Sequence, residues 1–184
     1  KNLSTINWRL TSINFFTFAS MISEILIGDA LKSNMAIIDV RSPGEYSRGH
    51  IPSSVNIALF DDNERAHVGT VYKQNSREAA INLGYKYVTP KLQFFIDQTQ
   101  KFAPDLNIIV HCWRGGMRSQ SFAKHLHDNG FKNVFVISGG YKSYRNYVLD
   151  YFNNPFKLKI LGGFTGSGKT HILYDFLNDG HQVI

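Results

Sequence analysis

Residues 108–119 constrain the fold of this chain more than any other stretch. The apolar run 108–110 is typical of a buried parallel strand, and it leads through His111 to Cys112, the only cysteine in the sequence. Two glycines follow, and Arg118 begins a segment with helical spacing. A strand, a tight loop and a helix N-terminus bring backbone N–H groups together at one point, where the helix dipole favours negative charge. The stretch therefore predicts an anion-binding loop with a cysteine at its mouth.

Cys112 is the predicted catalytic nucleophile. A cysteine beside backbone N–H groups and cationic side chains reacts as a thiolate, and Arg114 and Arg118 would add positive charge to this loop. A lone cysteine is more often a small buried apolar residue, but two glycines and two arginines within six residues would be a poor end to a core strand. The predicted active-site loop consists of Trp113, Arg114, Gly115, Gly116, Met117 and Arg118.

The composition fits one full domain and part of a second. The 184 residues are 43% hydrophobic and include 14 Phe and 9 Tyr, enough for a substantial core. The net charge of +6 favours a polyanionic partner such as RNA, DNA or a phosphorylated metabolite, or simply marks a generic basic protein. A single cysteine excludes a disulfide framework within the chain and fits a reducing, cytoplasmic location. No apolar run reaches membrane-spanning length, and nothing indicates an oligomeric state.

Strands and helices alternate along the chain. Residues 1–20 are expected to be an extension outside the fold, and a short edge strand and a helical turn are predicted between Met21 and Lys32. A helix is predicted to begin at the Ser42 N-cap, with Glu45 three residues on. This alternation indicates an α/β domain with a mostly parallel sheet flanked by helices. Further strands are predicted at 35–40, 54–57, 108–111 and 134–137, and further helices at 61–74, 76–83, 91–102, 118–129 and 141–152.

A second pattern begins after Pro155. Residues 157–161 are predicted to form a strand and residues 171–177 a helix; between them, residues 163–170 match the phosphate-loop pattern G-x-x-x-x-G-K-[ST]. Lys169 would hold the β- and γ-phosphates of a nucleotide and Thr170 would reach Mg²⁺. The predicted phosphate-binding residues are Gly163, Gly166, Ser167, Gly168, Lys169 and Thr170. We interpret residues 21–153 as one domain and 154–184 as the incomplete beginning of a P-loop NTPase-like α/β domain.

Several of these motifs carry a family resemblance. Residues 39–46 (DVRSPGEY), residues 49–52 (GHIP) and Cys112 at a strand end resemble the rhodanese fold. With residues 63–74, 76–80 and 111–119 (HCWRGGMRS) added, the chain from about Met21 to Ile184 resembles the tRNA 2-selenouridine synthases. In that family a rhodanese domain is followed directly by a phosphate-loop domain. The Cys-Trp-Arg-Gly-Gly sequence is the most specific part of the resemblance.

The resemblance implies an activity on tRNA. The family replaces sulfur by selenium in wobble 2-thiouridine, with selenophosphate as the donor, and is associated with geranylation of the same sulfur from geranyl diphosphate. Cys112 would be the nucleophile, bearing selenium as a perselenide that the amides of Gly115 and Gly116, with Arg118, stabilise. Arg114 would bind selenophosphate or the tRNA backbone. Residues 163–170 would bind a phosphate group, on ATP, geranyl diphosphate or another ligand.

Other parts of the sequence bear on tRNA binding. Basic residues near the domain junction would contact the tRNA backbone, or else form a solvated helix face; they are Lys142, Arg145, Lys157 and Lys159. Trp113 would stack on a base or a geranyl chain, or brace the loop.

Three other functions remain open from the residues alone. The spacing His-Cys-x5-Arg-Ser at 111–119 also occurs in cysteine phosphatases, one class of which shares the rhodanese fold. A simple thiosulfate sulfurtransferase is the second alternative, and a binding module with an inert Cys112 is the third.

The remaining polar residues of these motifs have structural interpretations. We expect Asp39 and Arg41 to form a buried pair, His50 to order its turn, and His111 to point away from Cys112. The seven histidines lack ligand spacing, so no metal site is predicted.

Overall fold

The computed structural model describes residues 22–155 and 159–183. The expectation that residues 1–20 lie outside the fold concerns a segment beyond the described residues. The chain divides into two compact units, Lys1–Asp150 and Tyr151–Ile184.

The first unit contains a sheet of five parallel strands in the order β1-β5-β4-β2-β3. The sheet confirms the α/β class and the mostly parallel arrangement predicted from the sequence. Because parallel strands end at the same edge, the residues that follow β2, β4 and β5 come together there. The strands are β1 Ser23–Ile25, β2 Ala36–Asp39, β3 Val55–Asn56, β4 Asn107–His111 and β5 Asn133–Ile137.

Helices connect the strands near the positions that the sequence predicts. The capping box at Ser42 is confirmed, since its hydroxyl accepts from the Glu45 amide while the Glu45 carboxylate accepts from the Ser42 amide. Among the described helices, none has the length and apolar character needed to cross a lipid bilayer. The helices of the first unit are α1 Ile27–Lys32, α2 Pro43–Ser47, α3 Asp62–Gln74, α4 Arg77–Val88, α5 Leu92–Phe102, α6 Met117–Asp128 and α7 Gly140–Tyr151, with a 3₁₀ turn at Thr89–Lys91.

The apolar core occupies both faces of the sheet. Alternate residues of β4 point to opposite faces: Val110 and Cys112 pack with Phe122 of α6, whereas Ile109 belongs to a second cluster. This second cluster includes Tyr141 of α7 at its margin. The alternation places Cys112 on the α5–α6 side of the sheet, and His111 on the α7 side.

The second unit departs from the sequence prediction. The strand expected at 157–161 is wrong where it can be judged: residues 159–161 are not in a strand, and 157–158 lie outside the described residues. A strand needs a neighbour to pair its N–H and C=O groups, and the described part of this unit contains no other strand. Its helix, α8 Lys169–Asn178, is confirmed.

Candidate active site

The Cys112 loop packs against the first residues of α7. The Tyr141 amide donates to the Cys112 carbonyl at 2.8 Å and the Lys142 amide donates to the Trp113 carbonyl at 3.0 Å. Gly115 has a φ of +68°, and Gly140 approaches so closely that a Cβ there would lie 2.4 Å from the Cys112 carbonyl oxygen. The loop therefore owes its shape to glycines in two separate segments of the chain.

The backbone N–H groups of this loop are available to a ligand. Within the described part of the chain, none of the amides of residues 113–116 donates a hydrogen bond to a protein acceptor. They directly precede the N-terminus of α6, whose first N–H groups have no partner within the helix. Free amides at a helix N-terminus favour a bound anion. The structure thus contains the strand, loop and helix arrangement that the sequence predicts.

Cys112 is 3% exposed. Its Sγ atom lies 3.2 Å from the Ser119 Oγ atom, and the Ser119 hydroxyl is also within 3.0 Å of the Gly116 carbonyl oxygen. With a neutral thiol, the S–H can donate to Ser119; with a thiolate, the Ser119 hydroxyl can rotate to donate to sulfur. Ser119 is therefore a hydrogen-bond partner for either state of Cys112.

Arg118 is held by a glutamate from another helix. Its Nη1 atom donates to the Glu45 Oε2 atom at 2.9 Å, and Arg65 Nε lies 3.7 Å from the same oxygen. Burial raises the pKa of Glu45, but ion pairing with Arg118, hydrogen bonds from Arg118 and Ser42, and the charge of Arg65 together lower it below its ordinary value. Glu45 is consequently a carboxylate at neutral pH.

An arginine-rich cleft opens beside the loop, and we call it the arginine cleft. It has a volume of about 580 Å³. Its walls carry five arginines and one carboxylate, together with the two aromatic residues Trp113 and Tyr141. An excess of guanidinium groups favours anionic ligands. The lining residues are Arg41, Glu45, Arg48, Gly49, Arg65, Trp113, Arg118, Tyr141 and Arg145.

Asp39 and Arg41 form the buried pair that the sequence predicts. The Arg41 Nη2 atom lies 2.6 Å from Asp39 Oδ2 and 2.8 Å from the Gly49 carbonyl oxygen, and its guanidinium lies 3.8 Å from the centroid of the Tyr141 ring. His111 is buried against the same pair, with Nε2 at 3.7 Å from Asp39. Burial lowers the pKa of His111, and Arg41 lowers it further, against the opposing effect of Asp39.

The structure separates the predicted loop residues into two groups. Trp113 and Arg118 line the arginine cleft, whereas Arg114 is exposed and Met117 is 37% exposed, and neither is among the lining residues. His50 contacts the Tyr46 carbonyl oxygen at 3.1 Å, as expected for a residue that orders its turn.

Sequence reasoning missed several residues of the cleft. Glu45 was identified only as a helix cap, Tyr141 only as a helix start and Arg145 only as a tRNA contact; Arg48 and Arg65 were not identified. The predicted parallel sheet could have indicated Arg48, Tyr141 and Arg145, because they lie on segments that follow β2 and β5. Arg65 lies on α3, and no local signal points to it.

The phosphate-loop residues of the second unit lie close together. Lys169 Nζ donates to the carbonyl oxygens of Gly163 at 2.8 Å and Phe164 at 2.5 Å, and lies 3.4 Å from Ser167 Oγ. A concavity of about 240 Å³ is lined by residues 166–171, which include Thr170. No cluster of three or more His, Cys, Asp or Glu residues suited to a metal occurs in the described ranges 22–155 and 159–183.

Known proteins resemble this chain over most of its length. Residues 26–147 match the profile of the Rhodanese-like domain. A tRNA 2-selenouridine synthase from Nitrosomonas europaea is 40% identical over 156 residues, which cover 80% of this chain and 39% of that protein. One from Psychromonas ingrahamii is 39% identical, covering 80% of this chain and 40% of its own length. The chain spans about two fifths of the length of these relatives, and the predicted resemblance to tRNA 2-selenouridine synthases is confirmed.

A solved structure also resembles this chain. It is the N-terminal domain of a Clostridium difficile 630 protein described as ATP/GTP binding, with 44% sequence identity and a TM-score of 0.65. The match covers 69% of this chain and 99% of that domain.

Proposed function

The chain belongs to the rhodanese-like domain family, and from this premise we propose that it is part of a tRNA 2-selenouridine synthase. In this proposal it replaces the sulfur of wobble 2-thiouridine by selenium, with Cys112 as the nucleophile. Selenophosphate supplies the selenium and, with water, leaves as phosphate, while the displaced sulfur leaves as sulfide. The observation that carries the proposal is the set of unpaired amides at residues 113–116 around the strand end that bears Cys112. The similarity to proteins named for this activity supports it.

The residues around Cys112 suit a nucleophile that is an anion. Exchange of a chalcogen at a base carbon needs a soft anion, and hydrogen-bond donors fixed before the reaction stabilise such an anion without reorganisation. The loop amides and the Ser119 hydroxyl are such donors. In our proposal Arg118, held by Glu45, supplies positive charge at the start of α6.

We assign a binding place to each remaining co-substrate from its charged groups and from the residues that could bind them. In our proposal the tetrahedral oxyanion of selenophosphate binds where the loop amides and Arg118 meet. We assign the phosphate loop at 163–170 to a diphosphate or triphosphate, of which geranyl diphosphate and a nucleotide with Mg²⁺ are the two candidates. Support for the loop assignment comes from the lysine and glycine positions and from the concavity at residues 166–171.

The proposal is tested by nucleoside analysis. The full-length protein is incubated with selenophosphate and with tRNA that contains 2-thiouridine, and the digested nucleosides are identified by mass spectrometry. We expect 2-selenouridine with the wild type, and a loss of at least about a hundredfold with Cys112→Ala, because the nucleophile is removed. Cys112→Ser, which keeps a similar size but a much weaker nucleophile, is expected to be as inactive.

The alternatives predict different outcomes of the same assay. Formation of 2-selenouridine that does not depend on Cys112 would contradict the proposed role of this residue. Release of phosphate from aryl phosphates, dependent on Cys112 and without selenium incorporation, would assign the protein to the cysteine phosphatases. Sulfur transfer from thiosulfate alone would make it a simple sulfurtransferase.

A further inference from the structure

We propose that the arginine cleft binds one nucleotide of a single-stranded RNA loop, with its base against Trp113 and its phosphate on Arg48 and Arg145. This inference rests on the proposed function and adds to it the site at which the RNA substrate is held. In this inference the nucleotide site is separate from the loop amides, where we place the smaller oxyanion, selenophosphate.

The size of the cleft favours a ligand larger than an oxyanion. Its volume of about 580 Å³ lies within the range of roughly 300–1,000 Å³ for sites that hold small organic ligands. A tetrahedral oxyanion on the loop amides would leave most of this space empty. A base, a ribose and a phosphate fit within it together.

The arginines of the cleft divide into engaged and available groups. Arg41 is engaged with Asp39, and Arg118 and Arg65 are engaged with Glu45. Arg48 and Arg145 are exposed, and neither lies within 4 Å of a carboxylate oxygen in the described part of the chain. The charge of Arg48 helps to lower the pKa of Asp62, which is fully exposed and leaves the guanidinium accessible. Two available guanidinium groups on one cleft can bind a phosphodiester through charge-assisted hydrogen bonds. Contacts of arginine to phosphate oxygens fix the position of a protein on a nucleic-acid backbone.

Trp113 supplies the surface for the base. Its ring is half-buried and lies 5.6 Å from the Tyr141 ring at an angle of 45°. Tyr141 is itself covered by the Arg41 guanidinium at 3.8 Å, which holds the aromatic pair in place. Single-stranded bases stack on aromatic side chains of this kind. Trp113 directly follows Cys112 in the sequence, so the proposed base site adjoins the residue that carries the nucleophile.

The site is tested by calorimetric titration of the chain with three probes. They are 2-thiouridine 5′-monophosphate, the 2-thiouridine nucleoside and inorganic phosphate, each without Mg²⁺. The titrations use a Lys169→Ala background, so that the phosphate loop at 163–170 does not contribute. We expect the nucleotide to bind at least about tenfold more tightly than either the nucleoside or phosphate, since only the nucleotide contacts both Trp113 and the two arginines.

Variants assign the binding to the cleft. Arg145→Gln should weaken nucleotide binding about fivefold or more and leave nucleoside binding unchanged. Trp113→Leu should weaken both, and Trp113→Tyr should restore much of the loss because it keeps an aromatic face. Lys132→Gln is the matched control. It removes one exposed charge immediately before β5, at the ends of the strands opposite to the cleft. It should change the binding of none of the three probes. Circular dichroism of each variant verifies the fold.

The outcomes separate this inference from the proposed function. Equal binding of nucleotide and inorganic phosphate, or an Arg145→Gln protein that binds the nucleotide as the wild type does, would overturn the nucleotide site. The selenium-transfer assay is a separate measurement, so 2-selenouridine formation would still support the proposed function in either case. Conversely, nucleotide binding with the expected variant pattern but no 2-selenouridine would support the nucleotide site and contradict the proposed function.

Discussion

At the scale of single residues, the buried polar groups behind the cysteine loop are connected through Asp39. Its carboxylate accepts hydrogen bonds from the backbone and the guanidinium of Arg41, and it faces His111 at 3.7 Å. The Nε2 atom of His111 has no hydrogen-bond partner among the described residues. An unsatisfied buried nitrogen next to a buried ion pair costs stability, and that cost depends on the charge of His111.

The lowered pKa of His111 predicts a loss of stability in mild acid. Between its folded pKa and about 6.5, the unfolded chain binds a proton that the folded chain does not. The free energy of unfolding should therefore be greatest above pH 6.5 and fall below it, by at most about 1.4 kcal/mol per pH unit. Urea unfolding at a series of pH values from 7.5 to 5.5 measures this slope.

His111→Gln is the matched variant for that measurement. It keeps a side chain of similar size but cannot take up a proton, so its slope should be smaller than that of the wild type. The other histidines act equally in both proteins, and Glu45 has a lowered pKa and so does not titrate in this range. Two identical slopes would show that His111 does not contribute to the pH dependence.

At the scale of elements, the Cys112 loop depends on the turn that leads from β5 into the first residue of α7. The close approach of Gly140 to the loop leaves no room for a side chain, because a Cβ would also lie 2.5 Å from the Gly115 nitrogen. Gly140 also has a φ of +59°, which disfavours other residues. The cysteine loop and this turn therefore form one structural unit, although they are far apart in the sequence.

Three glycine substitutions test this dependence. Gly140→Ala should lower the free energy of unfolding by more than about 3 kcal/mol, from the clash and the strained φ together. Gly130 has a φ of +96° but open space around it, so Gly130→Ala should lower the free energy of unfolding by about 1–2 kcal/mol. Gly69→Ala, within α3 and with open space, should stabilise by about 0.5–1 kcal/mol. Equal effects at Gly140 and Gly130 would show that the loop tolerates the side chain.

At the scale of the whole molecule, the two units differ in their cores. The first unit buries the five-stranded sheet between two apolar clusters. In the second unit, none of the described residues 159–183 is buried, and Ile160 is 93% exposed. Regions that bury few apolar side chains open at low free energy, whereas core strands open only with global unfolding.

Hydrogen exchange should therefore divide the chain at the boundary between the units. We expect amides of β4 and β5 to exchange at the rate of global unfolding and those of α8 to exchange at least about a thousandfold faster. Exchange measured by mass spectrometry on peptic fragments of the whole chain distinguishes the two rates. Equal protection of α8 and β4 would contradict the prediction that α8 lacks a supporting core.

Sequence predictions were accurate for features that depend on neighbouring residues and failed for features that depend on contacts between distant segments. The helix at Ser42 was predictable because its cap lies within four residues, and β4 because its apolar run is continuous. The strand expected at 157–161 failed because strand formation depends on a pairing neighbour. Arg65 was missed because its place in the cleft is set by the packing of α3.

The sequence by itself determined the parallel α/β class, the glycine-containing loop between β4 and α6, and the position of Cys112 at its start. These features follow from apolar periodicity, glycines and helix capping, which act over a few residues. Only the tertiary structure decided that Glu45 holds Arg118, a residue 73 positions away, and that the arginines flanking α2 and those on α3, α6 and α7 share one cleft. The parallel strand order brings those segments to one edge of the sheet, and contacts of such separation leave no local pattern in a sequence.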